Sequence, residues 1–461
     1  MTLSMSEKLL PYQEVGAAFL AARDRAGLWD DMGLGKTAQA IRALDMRQCM
    51  KIMVVCPAAV RQSWIGEFAK FSQIARKICK GADVSDFYGW ARGLYDVIVV
   101  SYEMAAKWAK LVARECVLMD AIVLDEAHYL KSDTTIRTRQ ILGPESAGDG
   151  LVQWACVVWY LTGTPIPNDP MDLHSILYSA GVTPLNRLAF TREYFSSTAR
   201  TYSVCHEVKP DKVDELRTLI GSFSIRRTLA TAGIQLPDIF ITDTTIDGDT
   251  SAVKRLILEH PGLDQIIKDV LASGKGLSGL SLETANHVAT LRRLIGEAKA
   301  LPYAKLLLEE IHSCRDKVVV FGIHKAAIHT ARSFLESHGI KCVSVTGDVR
   351  EADRVANVQD FQNDPDCRVF FGNIRAAGVG LTLTASNRID MLESDWTPAG
   401  NAQAIKRVHR ITQKRGVRAR FITLANSFDE TVNKILAEKT ERIAAVDSIG
   451  AEYANPAART A

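Results

Sequence analysis

The sequence has no CxxC pair and none of the cysteine–histidine spacings of a zinc module, which excludes the common structural zinc folds. Its nine cysteines stand singly at 49, 56, 79, 116, 156, 205, 314, 342 and 367. A dispersed, odd-numbered set fits buried thiols in a reducing compartment rather than a disulfide framework. No apolar run approaches the ~18 residues of a membrane-spanning helix. The N-terminus lacks the basic start and apolar stretch of a secretion signal. Charge of one sign is also scarce: 56 Lys and Arg face 53 Asp and Glu, a net charge of +3. Any basic surface for a nucleic acid must therefore be local. These absences predict a cytoplasmic protein with no membrane partner, or a nuclear one if the source is eukaryotic.

What is present is a recurrent strand signal. Short runs rich in Val, Ile and Phe occur at 51–56, 95–100, 121–124 and 157–162, and again at 317–321, 341–345, 368–371, 389–392 and 418–424. Near-continuous apolar runs of this length read as strands buried on both faces. Their alternation with longer helical patterns predicts right-handed βαβ units and parallel sheets. The fold class expected is α/β, with two parallel-sheet lobes. The stretch between the clusters has helical patterns at 211–220, 251–258 and 282–294 and reads as a mainly helical insertion and linker. Residues 452–461 are Ala-rich and read as a frayed tail.

Two motifs carry the chemistry. The first is Asp31-Met32-Gly33-Leu34-Gly35-Lys36-Thr37. Gly33 and Gly35 let backbone amides approach phosphate oxygens, and the helix that follows presents its positive end to them. Lys36 is expected on the β- and γ-phosphates and the Thr37 hydroxyl on Mg2+. The usual pattern opens with a glycine where this chain has Asp30. The second motif is Ala121-Ile122-Val123-Leu124-Asp125-Glu126-Ala127-His128. An apolar strand ending in two carboxylates puts them at the strand's C-terminal edge, where ligands sit in open α/β sheets. Asp125 is the expected magnesium carboxylate and Glu126 the group that activates water.

Together these blocks resemble the DEAD/DEAH-box helicase superfamily, and within it the Swi/Snf branch, whose phosphate loop commonly carries an acidic pair such as Asp30 and Asp31 before MGLGKT. The resemblance implies two RecA-like lobes. It makes Leu10-Pro11-Tyr12-Gln13 an adenine-sensing segment, with Gln13 as reader of the base. Val55-Cys56-Pro57, Ser101-Tyr102-Glu103 and Leu161-Thr162-Gly163-Thr164-Pro165 are similar to motifs Ia, Ib and III. Downstream, Ala377-Gly378-Val379-Gly380-Leu381-Thr382-Leu383-Thr384 resembles motif V, with Gly378 and Gly380 in a tight nucleotide-sensing loop. After Glu393-Ser394-Asp395-Trp396-Thr397-Pro398, the run Gln403-Ala404-Ile405-Lys406-Arg407-Val408-His409-Arg410-Ile411-Thr412-Gln413 looks like motif VI. Arg407 and Arg410, three apart, would share one helix face. Such arginine fingers stabilise charge on the transferring phosphate and are worth roughly 10³-fold or more in rate. Gln403 joins the expected nucleotide contacts. The turn after the fingers departs from the family, which has Gly-Gln where this chain has Thr412-Gln413.

The resemblance runs from Leu10 to Ala437 and is strongest to the SMARCA-like annealing-helicase group, as a motor core without accessory modules. It implies ATP and Mg2+ as cofactors and DNA as partner, duplex or branched and bound without regard to sequence. Arg61, Ser101, Tyr102, Thr382 and Trp396 are candidate DNA contacts, and Arg226-Arg227 a lobe-linking segment. The expected organisation is a first lobe at 1–222, linker and insertion at 223–298, a second lobe at 299–445 and a tail at 446–461. The expected activity is a DNA-stimulated ATPase coupled to translocation, in a bacterial or phage-infected cell. A strand-separating or annealing enzyme and a non-catalytic DNA-binding scaffold are the alternatives.

Overall fold

The computed structural model describes residues 7–143, 150–166, 169–200, 203–273, 280–374, 381–396, 398–433 and 436. The chain divides into two compact units. The first comprises 1–197, 206–234 and 445–461, and the second 198–205 and 235–444.

In the first unit the strands are β1 (Arg25–Leu28), β2 (Ile52–Cys56), β3 (Ile78–Lys80), β4 (Val97–Ser101), β5 (Met119–Asp125) and β6 (Ala155–Leu161). A two-stranded sheet of β7 (Phe195–Arg200) and β8 (Ser203–Val208), whose residues 198–205 belong to the second unit, precedes β9 (Ser224–Ile225). The main sheet runs in the order β3-β4-β2-β5-β6-β1-β9, and its neighbours pair in parallel. Residues 52–55 and 121–124 are wholly buried, as strands covered by helices on both faces must be. Trp29, Trp90, Tyr102, Trp108, Tyr160 and Phe190 anchor the core on one side of the sheet.

In the second unit β10 (Ile239–Ile246), β11 (Val318–Gly322), β12 (Lys341–Val345), β13 (Cys367–Asn373), β14 (Arg388–Met391) and β15 (Val417–Leu424) form a second parallel sheet in the order β10-β15-β14-β11-β13-β12. Among the described residues, every strand expected from an apolar run is present. Six others among the described residues were not legible. β7 and β8 carry Ser, Thr and charged residues in place of an apolar run. β1, β3 and β9 are too short to give a pattern. β10 is an edge strand with Phe240 and Ile241 exposed, so it lacks the buried run that marks its neighbours; it stands within the stretch read as insertion. The helix Leu282–Ser313 runs without a break through residue 298 and carries buried residues along both halves.

A buried ionic network ties this helix to the second sheet. Asp390 is fully buried and accepts hydrogen bonds from Tyr303 Oη (2.8 Å), Arg388 Nη2 (2.8 Å) and Arg420 Nη2 (2.7 Å). Both arginines also reach Glu310. Burial pushes the Asp390 carboxyl up, but Arg388 and Arg420 outweigh it and hold it below the usual aspartate value.

Candidate functional site

Parallel pairing decides where the motifs lie. All C-terminal strand ends of the first sheet fall on one edge, and the order β4-β2-β5-β6-β1 places five loops there in sequence. These are Ser101-Tyr102 after β4, Pro57 to Arg61 after β2, Asp125-Glu126 at the end of β5, Thr162 to Pro165 after β6, and 30–37 after β1. Loops at this edge are where open α/β sheets bind ligands.

The loop after β1 turns at Gly33 (φ +92°) and Gly35 (φ +72°), left-handed conformations that favour glycine. The space beside the Gly33 Cα is open, whereas a Cβ at position 35 would lie 2.4 Å from Gln13 Nε2. The helix Lys36–Met46 begins directly after Gly35, so its free amides and positive dipole end face the loop. Thr37 sits in its first turn. Lys36 Nζ donates to the carbonyl oxygens of Asp30 (2.8 Å) and Asp31 (3.3 Å). Gln13 reaches the same loop, its Nε2 donating to Leu34 O at 3.1 Å.

Asp125 ends β5 and Glu126 follows with φ 54° and ψ 50°, a left-handed backbone costing a non-glycine residue about 1–3 kcal/mol. Two buried aromatic side chains hold Asp125. Trp64 Nε1 donates to its Oδ2, and Tyr102 Oη to its carbonyl oxygen, each at 2.8 Å. Burial first and the Glu126 charge second raise the Asp125 carboxyl to about 6. Two adjacent, partly desolvated carboxylates with a lysine near them suit a divalent cation, and oxygen donors such as Asp125 and Thr37 are the kind Mg2+ takes. His128 connects this loop to the next: its Nδ1 lies 3.0 Å from Thr162 Oγ1, 3.4 Å from Thr164 Oγ1 and 3.3 Å from Glu126 Oε2. A Cβ at Gly163 would stand 2.8 Å from Met32 Cγ and 3.2 Å from Lys36 Nζ, so the loop after β6 also abuts the phosphate loop.

Some expected residues stand elsewhere than the pattern suggested. Tyr102 is turned inward, its ring stacked on Tyr129 and its hydroxyl on Asp125, so its side chain offers no surface for DNA. Ser101 caps the following helix through Met104 N (3.3 Å), and Arg61 donates to Gly81 O (3.1 Å). In the second unit, Arg407 and Arg410 do not share a helix face. The helix Pro398–Ile405 ends before them, and successive turns, including Val408 N to Ile405 O and Arg410 N to Val408 O, carry the chain past both. Arg410 Nη1 donates to Thr382 Oγ1 at 2.7 Å. Burial, with the Arg407 charge adding, lowers the Arg410 guanidinium to about 9. Trp396 packs half-buried on an apolar cluster with the Arg292 guanidinium 4.8 Å from its ring, and Gln403 is half-buried. Gly378 and Gly380 lie outside the described residues. Trp64, Gln39 and Arg227 join the site only through tertiary contact, which no local pattern signals; of the three, only Arg227 stands in a segment that the sequence marks, the Arg226-Arg227 pair. Cavity size is no guide: one of about 480 Å³, lined by Trp29, Phe190 and Leu216 among others, includes no residue of the phosphate loop or acidic pair.

Comparison with known proteins gives the chain's family. The SNF2-related domain model matches residues 12–246 and the helicase conserved C-terminal domain model residues 302–412. The chain belongs to the SNF2-related family. The mouse "DNA annealing helicase and endonuclease ZRANB3" is 27% identical over 451 residues, covering 94% of this chain and 40% of that protein. The Drosophila "SWI/SNF-related matrix-associated actin-dependent regulator of chromatin subfamily A-like protein 1" is 26% identical over 463 residues, 99% of this chain and 58% of its own length. This SNF2-related chain thus spans roughly two to three fifths of these relatives. The solved "Sulfolobus solfataricus SWI2/SNF2 ATPase core in complex with dsDNA" is similar at 21% identity and TM-score 0.44, covering 98% of this chain and 96% of that one. Among the described residues no helix is long and apolar enough to cross a membrane.

The Asp125 contacts carry a stability prediction. Trp64→Phe keeps most of the ring and removes the indole donor to a carboxylate, and should cost about 1.5–3 kcal/mol, read by urea denaturation. An unchanged midpoint would mean that water replaces the indole and that Asp125 is open to solvent.

Proposed function

We propose that this SNF2-related chain is a DNA-stimulated ATPase that couples hydrolysis to movement on duplex or branched DNA. The observation that carries the reading is the row of five motif loops on one sheet edge, with Lys36 in the loop after β1 and Asp125 and Glu126 two strands away on β5. The amides at Gly33 to Lys36 and the Lys36 ammonium bind the phosphates, and Gln13 reads the adenine. Thr37 and Asp125 would hold Mg2+, which would supply charge neutralisation at the phosphates. Glu126 takes a proton from the attacking water as its oxygen bonds to the γ-phosphorus and the bond to the β,γ-bridging oxygen breaks. The order of motifs assigns Arg407 and Arg410 to stabilising that transferring phosphate. Phosphate-backbone contacts without base readout suit a motor that tracks any sequence.

The decisive measurement is steady-state ATP turnover with no nucleic acid, single-stranded DNA, duplex DNA, forked DNA and RNA. Turnover should rise at least about tenfold with duplex or forked DNA, an effect of ~1.4 kcal/mol on the barrier. Stimulation by single strands or RNA alone would replace the reading. The relative's name, "DNA annealing helicase and endonuclease ZRANB3", favours a second reading, annealing or strand separation at forks. Strand displacement or annealing on a tailed duplex would select it.

A further inference from the structure

Asp30 occupies the position where the usual phosphate loop has glycine, and the structure gives it a task. Its carboxylate is fully buried, and the Arg227 side chain beside it is buried to 7% exposure. Asp30 Oδ1 accepts from Arg227 N (3.0 Å) and Nε (2.9 Å), and Oδ2 from Arg227 Nη2 (2.5 Å) and Gln39 Nε2 (3.0 Å). Arg227 Nη2 also donates to Gln39 Oε1 at 2.7 Å, and Nη1 to the Tyr12 carbonyl. Every arm of the guanidinium is engaged, which a bidentate fork can do and an ammonium cannot.

The same residues grip the phosphate loop. The Asp30 carbonyl accepts from Lys36 Nζ at 2.8 Å. Gln39 Nε2 donates to Leu34 O at 3.0 Å, the oxygen that Gln13 also meets. Asp31 N donates to Arg227 O at 2.9 Å, and Trp29 N to Ile225 O at 2.9 Å. The strand that ends at Ile225 therefore continues as a strap along the start of the loop. A few residues later, at Gln235, the chain enters the second unit. The packing leaves no slack: a Cβ at Gly16 would lie 1.8 Å from Gln39 Oε1 and 2.4 Å from Arg227 Nη2.

We propose that Arg227 is a positioning residue of the nucleotide loop, acting through Asp30 and Gln39, and that it ties the chain segment leading to the second unit to the loop that holds phosphate. The inference rests on the reading of 33–37 as that loop. A buried pair of this kind contributes little net stability against an apolar replacement but is costly when half of it is removed, so stability and positioning separate by experiment.

Fluorescent ATP titration, steady-state kinetics and thermal melting are measured on the full chain for the parent, Arg227→Lys, Gly16→Ala, the double variant Asp30→Asn/Arg227→Met and Lys36→Ala. Positioning predicts that the double variant regains the parent melting temperature while ATP affinity stays down by about tenfold or more and KM rises with it. Gly16→Ala, which changes no charge, should show the same affinity loss. Recovery of parent affinity together with stability in the double variant would overturn the proposal, leaving Arg227 a structural ion pair. If the parent binds no ATP, or Lys36→Ala binds as tightly as the parent, the nucleotide-loop reading falls and this proposal with it.

Discussion

Glu126→Gln should lower ATP turnover by about 10²–10⁴-fold, the usual worth of a positioned general base, while changing nucleotide affinity by no more than a few-fold. The amide preserves the shape and the left-handed backbone of Glu126 but cannot take the proton. It also removes the charge that, after burial, does most to raise the Asp125 carboxyl, so the melting temperature should hold or rise slightly. Stability kept with activity lost marks a residue retained for chemistry. Lys36→Ala should give the complementary result, a loss of binding itself, since the proposed role of its ammonium is to meet the phosphates in the ground state as well as the transition state. Single-turnover hydrolysis and nucleotide titration on the two variants separate these roles. Near-parent turnover in Glu126→Gln would move the base elsewhere.

The largest stability effect is expected in the second unit. Asp390→Ala leaves the Arg388 and Arg420 guanidiniums with only Glu310, and the Tyr303 hydroxyl without its acceptor. Removing the buried anion should cost about 3–5 kcal/mol. At about 2–4 °C per kcal/mol for a unit of this size, the melting transition should fall by about 6–20 °C. Replacing the whole group, with Tyr303→Phe, Glu310→Leu, Arg388→Met, Asp390→Leu and Arg420→Met together, should recover most of the loss. The pH dependence follows from the lowered carboxyl. Its contribution is complete above the unfolded aspartate value and is lost as pH falls through the folded one. The acid side of the stability profile should therefore be flatter in Asp390→Ala than in the parent. A shift under about 3 °C would mean that water enters the network and screens it.

The amino-acid sequence by itself determined the strands buried on both faces, the α/β class and the presence of the phosphate loop and acidic pair. Those features depend on local composition: unbroken Val and Ile runs, glycines before a GKT helix, and carboxylates at a strand's end. Tertiary structure alone decided which loops become neighbours, because the order β4-β2-β5-β6-β1 is not the order of the chain. It decided that Tyr102 faces Asp125 rather than solvent, and that Trp64 supplies the second donor. It decided that Arg407 and Arg410 follow turns and not a helix, where three-residue spacing says nothing about direction. It also decided the meaning of Asp30. By pattern it is a missing glycine; its partner Arg227 lies 197 residues away, beyond the reach of any local rule, and only the fold buries the two charges together.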